Sequence, residues 1–296
     1  MLNNNISKLG LGTVQFGKPY GLANNIIKKQ TEVNKMLNLL KKNSITILDT
    51  SSNYLDSEKK IGNYKKNSFF KIITKTVNIS SKIVSETEIK LIDKHFHNSL
   101  KNIKQKKIHG LLIHNFEDIL KPGGINIINL LKEYKDNGYV KKIGISVYSP
   151  EQFYKILDLF EPDIVQFPLN ILDQRFLDID FSLFKKKTEF HARSIFLQGL
   201  LLNDIKKLPK FFSPIKKKLE KIYNFFNKVE ISMIEACIYF IVQQKNIDHF
   251  IVGVDSYEQL ENIIAVLKKK RKKEIDFSQF SANQNKLIDP RNWKKI

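Results

Sequence analysis

The chain has 296 residues, 42 % of them hydrophobic, and its 50 Lys and Arg against 30 Asp and Glu give a formal net charge of +20. That apolar fraction excludes a disordered chain, the length fits a single domain over residues 1–296, and the lone Cys237 excludes an intramolecular disulfide. The charge invites a nucleic-acid reading, but the basic residues are mostly Lys scattered over many segments, such as Lys41–Lys42, Lys106–Lys107, Lys185–Lys187 and Lys216–Lys218. Base and phosphate recognition favours clustered Arg, so the expectation is a solvated lysine surface with no specific nucleic-acid partner.

The opening Met1–Gly10 has no apolar core like that of a signal peptide, and no apolar run reaches the length of a membrane span. The expectation is a cytoplasmic protein with no membrane partner. Nothing in the sequence speaks to oligomeric state.

In chain order, short β-branched or apolar runs predict strands at Leu9–Thr13, Ile45–Asp49, Phe70–Lys75, Gly110–His114, Lys142–Ser146, Asp163–Phe167, Phe190–Ser194 and Phe250–Val252. Amphipathic stretches fill the gaps. Thr31 and Glu32 precede the periodic Val33, Met36, Leu37 and Leu40. Ser85 and Glu88 make a capping box for Thr87–Lys101, and Pro150 opens Glu151–Leu159. The longest interval, between strands seven and eight, holds Leu200–Leu208, Pro209 and a helix near Pro214–Asn227; it is a candidate lid or a plain connector. Ser232 and Glu235 form a second capping box before a strongly apolar helix through Gln243, which should be buried and enclose an inert Cys237. The run Lys268–Lys273 reads as a helix C-terminus, where cations meet the negative end of the dipole. Alternating β and α segments imply a parallel sheet, and eight of them imply a closed (β/α)₈ TIM barrel; a doubly wound sheet is the alternative.

In such a barrel, chemistry collects at the C-terminal ends of the strands. The second predicted strand ends in Asp49 with Tyr54 in the following loop, the third ends in Lys75, and the fourth in His114. Each alone has a bland reading: an N-cap, a packing ring, a surface lysine, a loop histidine. Together on three consecutive strand ends they fit carbonyl reduction. Hydride addition leaves negative charge on oxygen, which must receive a proton. A tyrosine hydroxyl has a pKa near 10, a nearby ammonium lowers it, an aspartate holds that ammonium, and a histidine orients the substrate oxygen.

Here the sequence resembles the aldo/keto reductase family. Leu9–Gly12 with Thr13-Val14-Gln15-Phe16-Gly17 looks like its opening. Asp49-Thr50-Ser51-Ser52-Asn53-Tyr54, followed by Ser57-Glu58 and Ile61-Gly62, resembles its tyrosine signature. Ile73-Thr74-Lys75 and Leu112-Ile113-His114 match its lysine and histidine strands. The resemblance runs from about Leu9 to about Leu267. It implies an NAD(P)H-dependent oxidoreductase acting on a small-molecule carbonyl, with Asp49, Tyr54, Lys75 and His114 as the catalytic tetrad and no metal. It also implies cofactor contacts at Gly12, Thr13, Ser146 and Gln166, at Arg193, Ser194, Gln198 and Gly199, and at Gly253, Asp255, Ser256 and Gln259. Ser146 and Gln166 would hold the nicotinamide carboxamide, and Ser256 would cap the helix beside the adenosine phosphate.

Three departures stand out. Leu55 replaces the Gly that usually follows the tyrosine, and Val147 replaces an Asn. Arg193 stands where the family commonly stacks a Tyr on the nicotinamide; it either brings charge to the rim, pointing to a polar or anionic substrate, or merely replaces the stacking ring with another planar group. The cofactor expected from the family is NADP(H); Asp255 and Gln259 in place of basic residues leave NAD(H) open. Arg193, Ser194, Phe196 and Gln198 resemble a bacterial branch associated with surface-sugar biosynthesis. Gln174 and Arg175 either line the mouth or form a salt-bridged loop. The alternative function is a nucleotide-binding regulatory or partner subunit with little turnover.

Overall fold

The computed structural model describes residues 3–22, 27–184, 187–269, 275–282 and 284–293. Eight short strands form, seven of them around Ile, Val or Leu and β7 around Phe190 and Ala192: β1 (Leu9–Gly12), β2 (Ile47–Asp49), β3 (Lys71–Lys75), β4 (Ile108–Ile113), β5 (Val140–Ser146), β6 (Ile164–Pro168), β7 (Glu189–Arg193) and β8 (His249–Gly253). All pairs are parallel and follow chain order. The β8 strand closes on β1, with Leu9 opposite Phe250 and Gly12 opposite Gly253. The sheet is therefore a closed (β/α)₈ barrel, not a doubly wound sheet.

All eight strands fall where the sequence places them, with shifted ends. β4 begins at Ile108 rather than Gly110, because Ile108 pairs with Val140 at the start of β5. Gly110 sits inside the pairing: a Cβ there would lie 3.2 Å from Ile164 and 3.3 Å from Ile73 in the barrel interior.

Side chains two apart along a strand share a face, and this orders the barrel into layers. Ile47, Ile73, Leu112, Ile164 and Ile251 make a buried plug at mid-height. Two residues further along each strand the same face presents Asp49, Lys75, His114, Gln166 and Gly253 at the C-terminal mouth. At the opposite end β3, β5, β7 and β8 carry Lys71, Lys142, Glu189, His191 and His249. A larger apolar core lies between barrel and helices and includes Cys237, whose thiol burial pushes well above its ordinary pKa.

The helices show which local signals are obeyed. Ser85 accepts from Thr87 N–H while Glu88 accepts from Ser85 N–H, closing the expected box on the helix Glu86–Ile103. Ser232 and Glu235 do the same for Met233–Val242. Pro150 occupies the first position of Pro150–Lys155, which ends earlier than expected and tightens into a 3-10 turn at Ile156–Asp158. The first long helix starts at Gln30, not after Thr31, and Lys29 gives it no side-chain cap. A tertiary anchor replaces the cap: the Gln30 amide donates to Lys60 O at 3.0 Å. Lys268 ends the helix Tyr257–Lys268 and Lys269 pairs with Glu235 at 2.8 Å; the rest of that basic run, and Lys185 and Lys186, lie outside the described residues. Among the described residues no helix is long and apolar enough to cross a membrane.

Candidate active site

The loop after β2 is held both by its own turns, with Asn53 N–H donating to Ser51 Oγ at 3.2 Å and Tyr54 N–H to Ser51 O at 3.0 Å, and by its neighbours. Ser57 Oγ donates to Thr13 O at 2.9 Å and bonds Thr13 Oγ1 at 2.8 Å, fastening this loop to the end of β1. The buried Glu58 carboxylate accepts from Thr74 Oγ1 at 2.6 Å, and burial raises its pKa. Gly17 permits the contact: a Cβ there would fall 1.7 Å from Tyr54 O and 2.7 Å from Ser57 N. Leu55 has a left-handed φ of +49° and is exposed. A residue with a Cβ holds that conformation at a cost of roughly 1–2 kcal/mol.

Four side chains converge at the mouth. Lys75 Nζ donates to Asp49 Oδ2 at 2.6 Å and to Thr50 O at 3.0 Å, and both charged groups are buried. The other Asp49 oxygen accepts from Gln166 Nε2 at 2.9 Å. The Lys75 ammonium lies 5.6 Å from the Tyr54 ring centre, and His114 meets that ring edge-on at 6.1 Å between centroids. His114 Nδ1 faces Asn53 Nδ2 and Ser51 Oγ, each at 3.2 Å. The amide can only donate, so Nδ1 accepts and the Nε2 of a neutral ring carries the proton.

Electrostatics keep that ring neutral. Burial, then Lys75, Arg193 and Lys18, push His114 down to about 3. Burial also lowers Lys75, against the pull of Asp49. Tyr54 differs from the sequence expectation. Burial first, and Asp49 second, hold its hydroxyl well above the usual tyrosine value, because the Lys75 charge is engaged by Asp49 and makes no hydrogen bond to the phenol.

These residues line a cavity of about 300 Å³. Its wall also contains Gly12, Thr13, Ser146, Gln166, Arg193, Ser194, Gln198, Gly199, Gly253, Asp255 and Gln259. Ser256 is the exception among the residues expected there: its hydroxyl accepts from Gln259 N–H at 3.1 Å and caps the helix Tyr257–Lys268. Gln259 Oε1 in turn accepts from Asp255 N–H at 2.7 Å. The interval between β7 and β8 reaches the wall through Leu202 and Asn203. Gln174 and Arg175 do not: the amide donates to Ile171 O and Phe277 O, and the guanidinium is bidentate on Asp173. Gln198 joins the two sides of the mouth, donating to the Tyr20 hydroxyl at 2.9 Å and accepting from Leu22 N–H at 3.0 Å.

Sequence reasoning missed Gln15, Tyr20 and Tyr148 on this wall. Gln15 was visible as a polar residue between Val14 and Phe16; nothing in the sequence marked the two tyrosines. Three wall acceptors, Gln15 Oε1, Gln166 Oε1 and Asp255 Oδ1, are buried without a hydrogen-bond partner. Such atoms are costly unless a ligand or water supplies donors. A nucleotide with a carboxamide N–H₂ and ribose hydroxyls supplies that kind of donor, so the wall fits a nicotinamide cofactor.

A second polar cluster, also missed, lies at the opposite end. Ligand atoms of Glu189, His191 and His249 are within 4.8 Å of one another. Glu189 is already paired with Lys142, however, and the positive charges of Lys71 and Lys142 bear on this cluster and oppose a bound cation.

A barrel whose polar residues gather around a cavity at the strand C-termini has the layout of a TIM-barrel enzyme. The aldo/keto reductase family profile matches residues 8–283, and the chain belongs to that family of oxidoreductases. A search among curated proteins found no match. Among solved structures, an aldo-keto reductase from Bacillus halodurans in its holo form is similar, at 17 % identity and a TM-score of 0.72, covering 90 % of this chain and 88 % of that one. The glycerol dehydrogenase from Gluconobacter oxydans is also similar, at 17 % identity and a TM-score of 0.69, covering 92 % and 89 %. At these identities the likeness is one of fold.

Proposed function

We propose that the protein reduces an aldehyde or ketone to an alcohol with a nicotinamide nucleotide, using Tyr54 as the proton donor. The observation that carries this reading is the buried Asp49–Lys75 pair beside Tyr54 and a neutral His114, on the wall of a cavity with three unpartnered acceptors. When bound, the nucleotide supplies the hydride.

The chain's own residues do the rest. His114 Nε2–H donates to the substrate oxygen and orients it. Tyr54, fully protonated in its buried setting, gives its proton as charge grows on that oxygen. The positive charge of Lys75 then stabilises the phenolate left behind, and Asp49 keeps the ammonium charged and aimed. Gln166, already oriented by Asp49, offers its free oxygen to the carboxamide, with Ser146 beside it. Gly12, Thr13, Ser194, Gln198 and Gly199 shape the wall between the two ends.

Family habit points to NADP(H), whereas the wall points to NAD(H). Among the described residues neither Lys nor Arg lines the cavity beside Asp255 and Gln259, and Asp255 presents an unpartnered oxygen suited to ribose hydroxyls and repulsive to a 2′-phosphate. We assign both nucleotides to this site, NAD(H) binding at least as tightly. Titrating NADH and NADPH into the protein, then following their oxidation with a panel of aldehydes, tests the reading. Binding without turnover of any carbonyl would leave a nucleotide-binding subunit in its place. Asp255→Ala should shift the ratio of dissociation constants toward NADPH, and an unchanged ratio would remove Asp255 from selection.

A further inference from the structure

Two cations near Tyr54 have no carboxylate partner among the described residues: Arg193 on the cavity wall and Lys18 beside it. Arg193 ends β7 with its guanidinium over the Tyr148 ring, 4.1 Å from the ring centre. It donates to Ser194 Oγ at 3.3 Å and Val147 O at 3.1 Å. A guanidinium has five N–H groups, so three remain for a ligand. Lys18 Nζ donates to Asn53 O at 3.3 Å and stands 5.3 Å from the Tyr54 ring centre.

Neighbouring cations are neutralised. Lys75 is held by Asp49, and Arg175 by Asp173. Arg291, on the other side of Tyr148 at 3.8 Å, is bound to Asp289. Tyr148 is therefore clamped between two guanidiniums, of which only the one on the cavity wall lacks a counter-ion. Among the described residues Asp49 is the only acid on the wall near His114, and both its oxygens are occupied by Lys75 and Gln166. Arg193 and Lys18 both act on His114, where the substrate oxygen is placed. A neutral aldehyde would leave Arg193 with unused donors in a half-buried site, whereas an oxyanion would use them in charge-assisted, bidentate bonds.

We infer that the substrates are carbonyl compounds bearing a carboxylate or phosphate, which Arg193 binds and Lys18 steers so that the carbonyl meets Tyr54 and His114. The inference rests on the reductase reading above and adds the substrate class.

Matched substrates test it: succinic semialdehyde against butanal, 4-carboxybenzaldehyde against 4-methylbenzaldehyde, and glyceraldehyde 3-phosphate against glyceraldehyde. The readout is the ratio of kcat/KM within each pair at saturating nucleotide, which divides out any loss of cofactor binding in a variant. The ratio should favour at least one anionic class by roughly 10- to 100-fold, the range of a charge-assisted hydrogen bond. Arg193→Met should bring it close to one, and Lys18→Met should lower it by a smaller factor that added salt also removes. The carboxylate and phosphate arms separate the two anion classes. Ratios near or below one in the wild type, or a preference that survives Arg193→Met, would overturn the inference. Calorimetry of benzoate and benzamide with the nucleotide-loaded protein reads the anion site without turnover. Arg193-dependent binding of benzoate alone, with no carbonyl reduced, would keep the anion site and sink the reductase reading. Equal or absent binding of both, together with ratios near one, would sink the anion site.

Discussion

The two ends of this barrel are equally rich in charge and differ in what the charges do. At the mouth, Lys75 pairs with Asp49, yet the surrounding wall keeps unpartnered acceptors and an unneutralised Arg193 around open space. At the floor, Lys142 pairs with Glu189, His191 Nε2 lies 3.3 Å from that same carboxylate, and Lys8 Nζ donates to Ile247 O at 2.6 Å; the buried His191 Nδ1 and His249 Nδ1 have no partner, but neither lines the cavity. A polar cluster alone is therefore a poor marker of a site. Unsatisfied groups that line a cavity are the better one, because only there can a ligand supply the missing partners.

The sharpest way to test the comparison is to remove the equivalent lysine at each end. Lys75→Met leaves Asp49 buried beside Tyr54 without its cation and should cut turnover by about 10²–10³-fold, the scale of losing an electrostatic stabiliser of the transition state. Lys142→Met should leave kcat/KM within about twofold while lowering stability by roughly 1–3 kcal/mol, as a half-buried ion pair loses one member. Equal effects of the two on turnover would erase the distinction between mouth and floor.

The next effect is steric. Gly17→Ala would drive a Cβ into the Tyr54 carbonyl. It should lower kcat/KM by about 10²-fold, as misplacement of a catalytic group by about 1 Å does, with nucleotide affinity changed much less. An alanine variant of full activity would show that the loop has slack the geometry denies.

Acid should weaken both ends together. Burial pushes His114 down to about 3 and His109 and His249 each down to about 4. Their ordinary value is near 6.5. Below that pH the unfolded chain takes up protons that the folded one refuses, so the stability these groups contribute is whole above about 6.5 and is lost as pH falls toward about 4. Urea midpoints at pH 7 and pH 4.5 should show the decline, and His249→Asn should make it shallower. A midpoint independent of pH in that window would contradict the buried, neutral state of these rings.

The smallest effect is expected at Leu55, in its left-handed turn. Leu55→Gly should stabilise the protein by at most about 1 kcal/mol, since relief of the strained φ is offset by glycine's greater unfolded entropy. A loss of more than about 1 kcal/mol, read from chemical denaturation, would mean that the leucine side chain supports the loop.

The sequence made the barrel and the convergence of Asp49, Tyr54, Lys75 and His114 at its mouth legible because period-two alternation puts an aliphatic residue in the plug and a polar one at the mouth, as with Ile47 and Asp49, or Ile73 and Lys75. Capping boxes at Ser85 and Ser232 were legible because their hydrogen bonds are local. The start at Gln30 was not, since its anchor, Lys60 O, is distant in sequence. Tyr148 and Gln15 were missed for the same reason: Tyr148 acquires its meaning from Arg193 and Arg291, and Gln15 from its packing against Gly253. The direction of the Tyr54 shift also failed, because proximity of a lysine was evident while its engagement by Asp49 and Thr50 was not.

Proton donation by Tyr54 at a nucleotide-dependent carbonyl-reducing site is probed by Tyr54→Phe, measured both for nucleotide dissociation constant and for single-turnover reduction of the best carbonyl substrate. The dissociation constant should be unchanged and the rate lower by roughly 10²–10⁴-fold. Reduction at the wild-type rate would contradict that role.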